Sequence, residues 1–195
     1  PYVYQGEELG MTNAHYNDIS QYRDVESLNY YKILLDQGKT KEQALKVLAA
    51  RSRDNSRTPM QWSDDKNAGF TEGTPWIEAP ENYKEINAET ELKDPDSIYS
   101  FYKKLIALRK EKDIIAEGTI EFLEKENADV LAYRRNYQGE ELIVLNNLTA
   151  ENVTIRQQPE WKAYQKRLGN YEKITAEDGK ITLRPFETIV LDSAL

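Results

Sequence analysis

Two arginines four positions apart, Arg53 and Arg57, sit in the run Arg53-Asp54-Asn55-Ser56-Arg57-Thr58-Pro59-Met60-Gln61-Trp62, which holds almost nothing able to form a buried face. A guanidinium is a planar fork of donors that can hold two adjacent hydroxyls or one carboxylate. An indole lies flat against a pyranose ring or against chain, with one N–H to place. Together in one short loop, these residue types suit the gripping of a sugar. The same arginines could instead turn inward, onto backbone carbonyls or onto Asp54. Acid–base chemistry is less well served. Glu7-Glu8 is the tempting carboxylate pair, but neighbours in an extended segment point to opposite faces and cannot easily share one substrate bond. One of the two, salt-bridged or hydrogen-bonded, is the expectation. The single histidine, His15, cannot build a His-based metal site and reads as surface or structural. No cysteine is present, which excludes thiol nucleophiles, disulfides and zinc–thiolate sites. No cluster of acids suggests a metal, and neither metal nor cofactor is expected.

The elements that must position these residues follow from local patterns. Pro1 to Tyr4 reads as a short strand that turns polar at Gln5-Gly6-Glu7-Glu8. Ser27–Gln37 reads as a helix with Ser27 as N-cap and Gly38 as stop. Thr40-Lys41-Glu42-Gln43 fits a capping box, continuing as a helix to about Ser52. Ser63–Glu91 reads as a long irregular excursion, of the kind that is usually functional. Asp94-Pro95-Asp96-Ser97 starts the firmest helix, over 95–112, with Ile98, Phe101, Tyr102, Leu105, Ile106 and Leu108 at helical spacing. After Gly118 the period changes to alternation. Thr119–Glu124, Val130–Arg135, Glu141–Asn146, Val153–Arg156, Gln165–Leu168, Lys180–Leu183 and Glu187–Leu191 are the expected strands, with turns at Gln138-Gly139 and Asp178-Gly179. Short strands with frequent turns predict an antiparallel sandwich, and a domain boundary near 114–118.

The 195 residues can bury a real core, and a charged fraction of 31% suits a soluble globular chain. Net charge is −8, so the surface should repel nucleic acid, and no basic patch stands out. No apolar run reaches the roughly 18 residues a membrane span needs. Neither a basic n-region nor an apolar h-region opens the sequence as given, which carries no initiator Met, so no signal peptide is expected within it, and a cytoplasmic location is the expectation.

Pro1-Tyr2-Val3-Tyr4-Gln5-Gly6-Glu7-Glu8-Leu9-Gly10-Met11, Tyr22-Arg23-Asp24-Val25-Glu26-Ser27-Leu28-Asn29, the arginine loop and Asn67-Ala68-Gly69-Phe70 occur in that order. They resemble the oligo-1,6-glucosidase and trehalose-6-phosphate hydrolase group of the family 13 glycoside hydrolases. The segments around Asp18–Glu26 and Ser52–Arg57 are more similar to the trehalose-6-phosphate side, because oligo-1,6-glucosidases tend to carry Ala where Ser56 stands.

The resemblance implies the last part of a (β/α)8 barrel followed by an all-β domain. Residues 1–117 would be the barrel's end (strand eight, a long excursion, the last helix), and residues 118–195 a C-terminal β-sandwich. Active sites of such barrels lie at the C-terminal ends of the strands, where Gln5-Gly6-Glu7-Glu8 would emerge. The family's nucleophile, general acid and stabilising aspartate follow strands four, five and seven, so all three are expected upstream and no catalytic residue is assigned in this chain. Arg57 resembles the arginine that holds the 4-hydroxyl of the non-reducing glucose. Arg53 resembles one beside the stabilising aspartate, at the start of subsite +1, and Glu26 a glutamate bound to the +1 sugar. Their structural alternatives remain open, including Glu26 as a cap at Ser27. Trp62 and Trp76 are expected to support the loop, and Trp161 to pack in or on the sandwich.

The implied activity is that of a retaining α-glucosidase acting on trehalose 6-phosphate and giving glucose and glucose 6-phosphate. An oligo-1,6-glucosidase acting on isomalto-oligosaccharides is the alternative, and a non-catalytic C-terminal module is the reading from another class. Partners are then a sugar or sugar-phosphate substrate and the missing N-terminal barrel portion of the same chain, with no nucleic acid and no membrane. Without that portion, Ile98, Phe101, Leu105 and Leu108 should expose apolar surface.

Overall fold

The computed structural model describes residues 2–193. The chain divides between Tyr102 and Lys103 into two compact units.

The first unit is mainly helices and ordered loop. Helix α1, Val25–Asp36, is capped not by Ser27 but by Asp24, whose carboxylate accepts from the Ser27 N–H. It ends at Gln37, with Gly38 in the left-handed region at φ +83°. Helix α2, Lys41–Arg51, begins with the expected box: Thr40 Oγ1 accepts from the Gln43 N–H at 3.2 Å, and the Gln43 side chain accepts from the Thr40 N–H at 3.0 Å. The core here is small, formed by Ala14, Tyr16, Tyr22, Tyr31, Leu34, Ala44, Leu48 and Ile77. The expected N-terminal strand has no ladder partner among the described residues, and its first residue, Pro1, lies outside them. A strand needs neighbours, and this unit supplies none.

The long excursion is better ordered than its composition predicts. Buried Gln61 donates through Nε2 to the Ile86 carbonyl, and its own carbonyl accepts from the Ala88 N–H at 2.9 Å. Those bonds lead into a helix that the sequence reading did not contain, α3, Ala88–Lys93, capped by Asn87 onto the Thr90 N–H. The sequence expectation of a helix over 95–112 is met by α4, Ile98–Glu111.

The second unit holds the C-terminal part of α4 and the sandwich. A one-turn helix, α5, Ile114–Glu117, leads into β1 (Thr119–Leu123), β2 (Val130–Tyr137), β3 (Glu140–Asn147), β4 (Val153–Arg156), β5 (Gln165–Gly169), β6 (Thr175–Glu177), β7 (Lys180–Leu183) and β8 (Thr188–Asp192). A five-stranded sheet runs in the order β1-β2-β3-β8-β5, and a three-stranded one in the order β4-β7-β6; every pairing is antiparallel. The edge strand β6 is exposed along its length and carries no alternation by which to expect it. Both expected turns form, with Gln138 and Gly139 at φ +49° and +89°, and Asp178 and Gly179 at +50° and +72°. Two successive residues with positive φ match the twist of a tight hairpin.

Strand β3 serves two cores. Ile143 and Leu145 join Val130, Ala132, Ile155, Trp161, Ile181, Leu183, Ile189 and Leu191 between the sheets. Leu142, on the opposite face, packs with Val190, Ile114 and Leu108. Leu108 is therefore buried, against the expectation, because α5 folds Ile114 over the same patch of sheet. Phe101 is half-buried, while Ile98 and Leu105 stay exposed as expected. Trp161 is core. Among the described residues no helix is long and apolar enough to cross a membrane.

Candidate functional site

The arginine loop begins where α2 stops. Ser52 leaves the helix in an extended conformation, and its hydroxyl accepts from the Asp54 N–H at 3.2 Å, starting a one-turn helix over Arg53–Ser56. Each side chain of that turn is then assigned. Asn55 accepts from the Ala14 N–H at 3.1 Å and donates to the Ala49 carbonyl at 2.9 Å. Ser56 Oγ donates back to the Arg53 carbonyl at 2.9 Å. Asp54, fully buried, points towards the start of α1, where Oδ2 accepts from the N–H groups of Arg23 and Asp24 at 2.7 and 3.0 Å.

Arg53, Arg57 and Glu26 meet around a residue that the sequence reading did not single out, Asp24. Arg53 Nη2 lies 2.8 Å from Asp24 Oδ1 and 3.1 Å from Glu26 Oε2, and Arg57 Nη1 lies 3.7 Å from the same Asp24 oxygen. The other Asp24 oxygen accepts from the Ser27 N–H and hydroxyl at 3.0 and 2.8 Å. Burial pushes the Asp24 carboxyl upward, but the Ser27 hydrogen bonds and the Arg53 guanidinium outweigh it, and its pKa stays below the ordinary carboxylate value. The carboxylate is thus charged and almost fully buried, whereas the side chains above it are open: Arg53 is 55% exposed, Arg57 40% and Glu26 76%. Two forks of donors and one acceptor are held at their base and free at their outer edge, an arrangement suited to a polyhydroxylated ligand. Asp24, Glu26, Ser27, Tyr30, Arg51 and Arg53 line a cleft of about 480 Å³ here. Neither arginine pairs with Asp54, and Glu26 does not cap α1.

The remaining candidates fall elsewhere. Glu7 accepts from the Tyr4 N–H at 2.9 Å and Glu8 from the Gly6 N–H at 2.8 Å, so each carboxylate braces its own turn. His15 is exposed, and among the described residues no group of acids and histidines could hold a metal ion. Trp62 and Trp76 are each more than half exposed. Trp62 supports the loop through its backbone, its N–H donating to the Ala68 carbonyl and its own carbonyl accepting from the Glu89 N–H. A signal for Asp24 was present, since aspartate is as good an N-cap as serine. The Asp24 N–H is also held by Asp54, which is distant in sequence.

Comparison with known proteins places these features. The family model for the alpha amylase catalytic domain matches residues 1–118, and that for the alpha-amylase SusG C-terminal domain matches residues 130–190. The chain is 48% identical to the trehalose-6-phosphate hydrolase of Bacillus subtilis (strain 168), over 97% of this chain and 34% of the relative. It is 43% identical to the oligo-1,6-glucosidase of Bacillus cereus, over 97% of this chain and 35% of the relative. Among solved structures, the trehalose-6-phosphate hydrolase of Bacillus licheniformis superposes with a TM-score of 0.93 at 47% identity, covering 98% of this chain and 35% of that one. The chain spans about a third of the length of the curated relatives it matches. Its fold is the last part of a (β/α)8 barrel followed by an antiparallel β-sandwich. The chain belongs to the α-amylase family, family 13 of the glycoside hydrolases.

Proposed function

We infer that this chain is the C-terminal, sugar-contacting part of a retaining α-glucosidase whose intact form hydrolyses trehalose 6-phosphate to glucose and glucose 6-phosphate. The observation that carries the reading is the cluster of Arg53, Arg57 and Glu26 on Asp24, with its donors open to solvent. Arg57 takes the 4-hydroxyl of the non-reducing glucose. Arg53 and Glu26, 3.1 Å apart, border the next subsite with a donor and an acceptor side by side. A sugar lacking a matched hydroxyl would leave a charge unpaired, which is how such contacts discriminate.

In a retaining mechanism one carboxylate attacks the anomeric carbon while a second, roughly 5–5.5 Å away, protonates the leaving oxygen. Asp24 and Glu26 are close to each other through Arg53, but Asp24 is buried with both oxygens engaged, so neither is assigned to that chemistry, and both groups are assigned to an upstream barrel portion, the partner of the first unit. The family matches over residues 1–118 and 130–190 support a barrel end over 1–117 and a sandwich over 118–195. A sugar phosphate carries charge that an apolar bilayer excludes, so it stays on the side where it is formed; a cytoplasmic enzyme is the reading if that phosphorylation is cytoplasmic. The net charge of −8 argues against nucleic acid as a partner.

An oligo-1,6-glucosidase is the second reading, because identity to one such relative is 44%, against 48% to a trehalose-6-phosphate hydrolase. A non-catalytic module is the third. Glucose release from trehalose 6-phosphate and from isomaltose, by the full-length enzyme and by this chain alone, decides among them. Preference for the phosphorylated sugar with a silent fragment is expected. Preference for isomaltose overturns the substrate assignment, and turnover by the fragment overturns the upstream location of the acids.

A further inference from the structure

Asp54 makes contacts that its place in a one-turn helix does not require. The turn is already capped by Ser52, yet Asp54 is fully buried. Its Oδ2 reaches across to the main chain of Arg23 and Asp24, and its own carbonyl accepts from the Arg57 N–H at 2.9 Å. One residue therefore joins the backbone that carries Asp24 to the backbone that carries Arg57. Its second oxygen, Oδ1, is buried without a hydrogen-bond partner. Burial and the charge of Asp54 together push the Tyr22 hydroxyl up to about 12. A buried carboxylate only half satisfied is costly, and the cost needs a return.

We propose that Asp54 is a positioning residue of the sugar-contacting cluster: by fixing the Arg23–Asp24 main chain, it holds Asp24 Oδ1 where both Arg53 and Arg57 can rest on it. The inference rests on the reading of those arginines as sugar contacts. Asp54 touches no substrate itself. Its effect is to set the register between the start of α1 and the arginine turn from the turn's side, by accepting from main-chain N–H groups, where Asp24 and Glu26 reach the turn from the helix side by accepting from its guanidinium groups.

The test is made in the full-length enzyme with trehalose 6-phosphate, comparing KM, kcat and melting temperature for Asp54→Ala, Asp54→Asn and Arg57→Ala. Asp54→Ala removes the oxygen that accepts both bonds, and KM is expected to rise about tenfold while kcat falls less. Asp54→Asn keeps one oxygen for the two N–H groups but loses the charge that strengthens both bonds, so a smaller rise of about threefold is expected. If Asp54→Ala does not fold, Asp54→Asn decides alone. Asp54 variants that lower only the melting temperature, with KM unchanged while Arg57→Ala raises it, overturn the positioning role alone. An unchanged KM in Arg57→Ala removes the sugar-contact reading, and this proposal with it.

Discussion

Asp24 does two things with its two oxygens: one caps α1 through Ser27, and the other seats Arg53 and Arg57. Helix start and site geometry are thus the same piece of electrostatics, and acid should loosen both together. A carboxyl whose folded pKa is depressed contributes stability that is present above its unfolded value, about 3.9, and is lost as pH falls through the lower folded value. Asp24→Asn should accordingly cost about 1–3 kcal/mol near pH 7, with the difference from the parent shrinking below about pH 4. Urea midpoints between pH 3 and 7 check this, and a difference independent of pH would contradict it. At this scale Arg53 and Arg57 were legible from residue type, whereas Glu26 was nominated only through the family resemblance, and the structure brings the three together. Asp24 was missed because serine and aspartate compete equally as caps. The Asp24 N–H is tied to a carboxylate thirty positions away, a contact invisible to any local pattern.

Elements were legible in proportion to their length and amphipathicity. Helix α2 follows from its capping box, and α4 from a long apolar period. Thr40→Ala should cost about 1 kcal/mol, because it leaves the Gln43 N–H unsatisfied at an exposed helix start. Chemical denaturation followed by far-UV circular dichroism measures it, and a change below about 0.3 kcal/mol would mean that tertiary packing alone sets the helix start. The strands β1–β5, β7 and β8 were found to within a residue or two, since each is a short run bounded by turn signals. Among the elements that were missed, α3, α5 and β6 have six, four and three residues. Segments so short cannot complete an apolar period, and their reasons are non-local. Backbone bonds from Gln61 and Trp62 organise the start of α3. For α5, the Arg135 guanidinium donates to the carbonyls of Ile114 and Gly118, and a side chain on Gly118 would meet the Ile114 carbonyl at 2.4 Å.

The two units differ in what they can bury by themselves. The sandwich closes a core between two sheets and a second one under α5. The first unit has a smaller core and leaves Tyr2, Val3, Tyr4 and Ile98 exposed. In the isolated chain, amides of residues 2–102 should exchange at least about tenfold faster than those of β2, β3 and β8. In the full-length enzyme the gap should narrow as the barrel covers that surface. Equal protection in both halves of an isolated monomer would show that the first unit needs no cover. The order β1-β2-β3-β8-β5 has a further consequence, for synthesis. Strand β8 is the last described, yet it lies inside the sheet between β3 and β5, sending Ile189 and Leu191 into one core and Val190 into the other. Neither layer can close while that segment is still within the ribosome. A premature stop before Thr188 would release a chain with two open hydrophobic faces, a substrate for quality-control proteases.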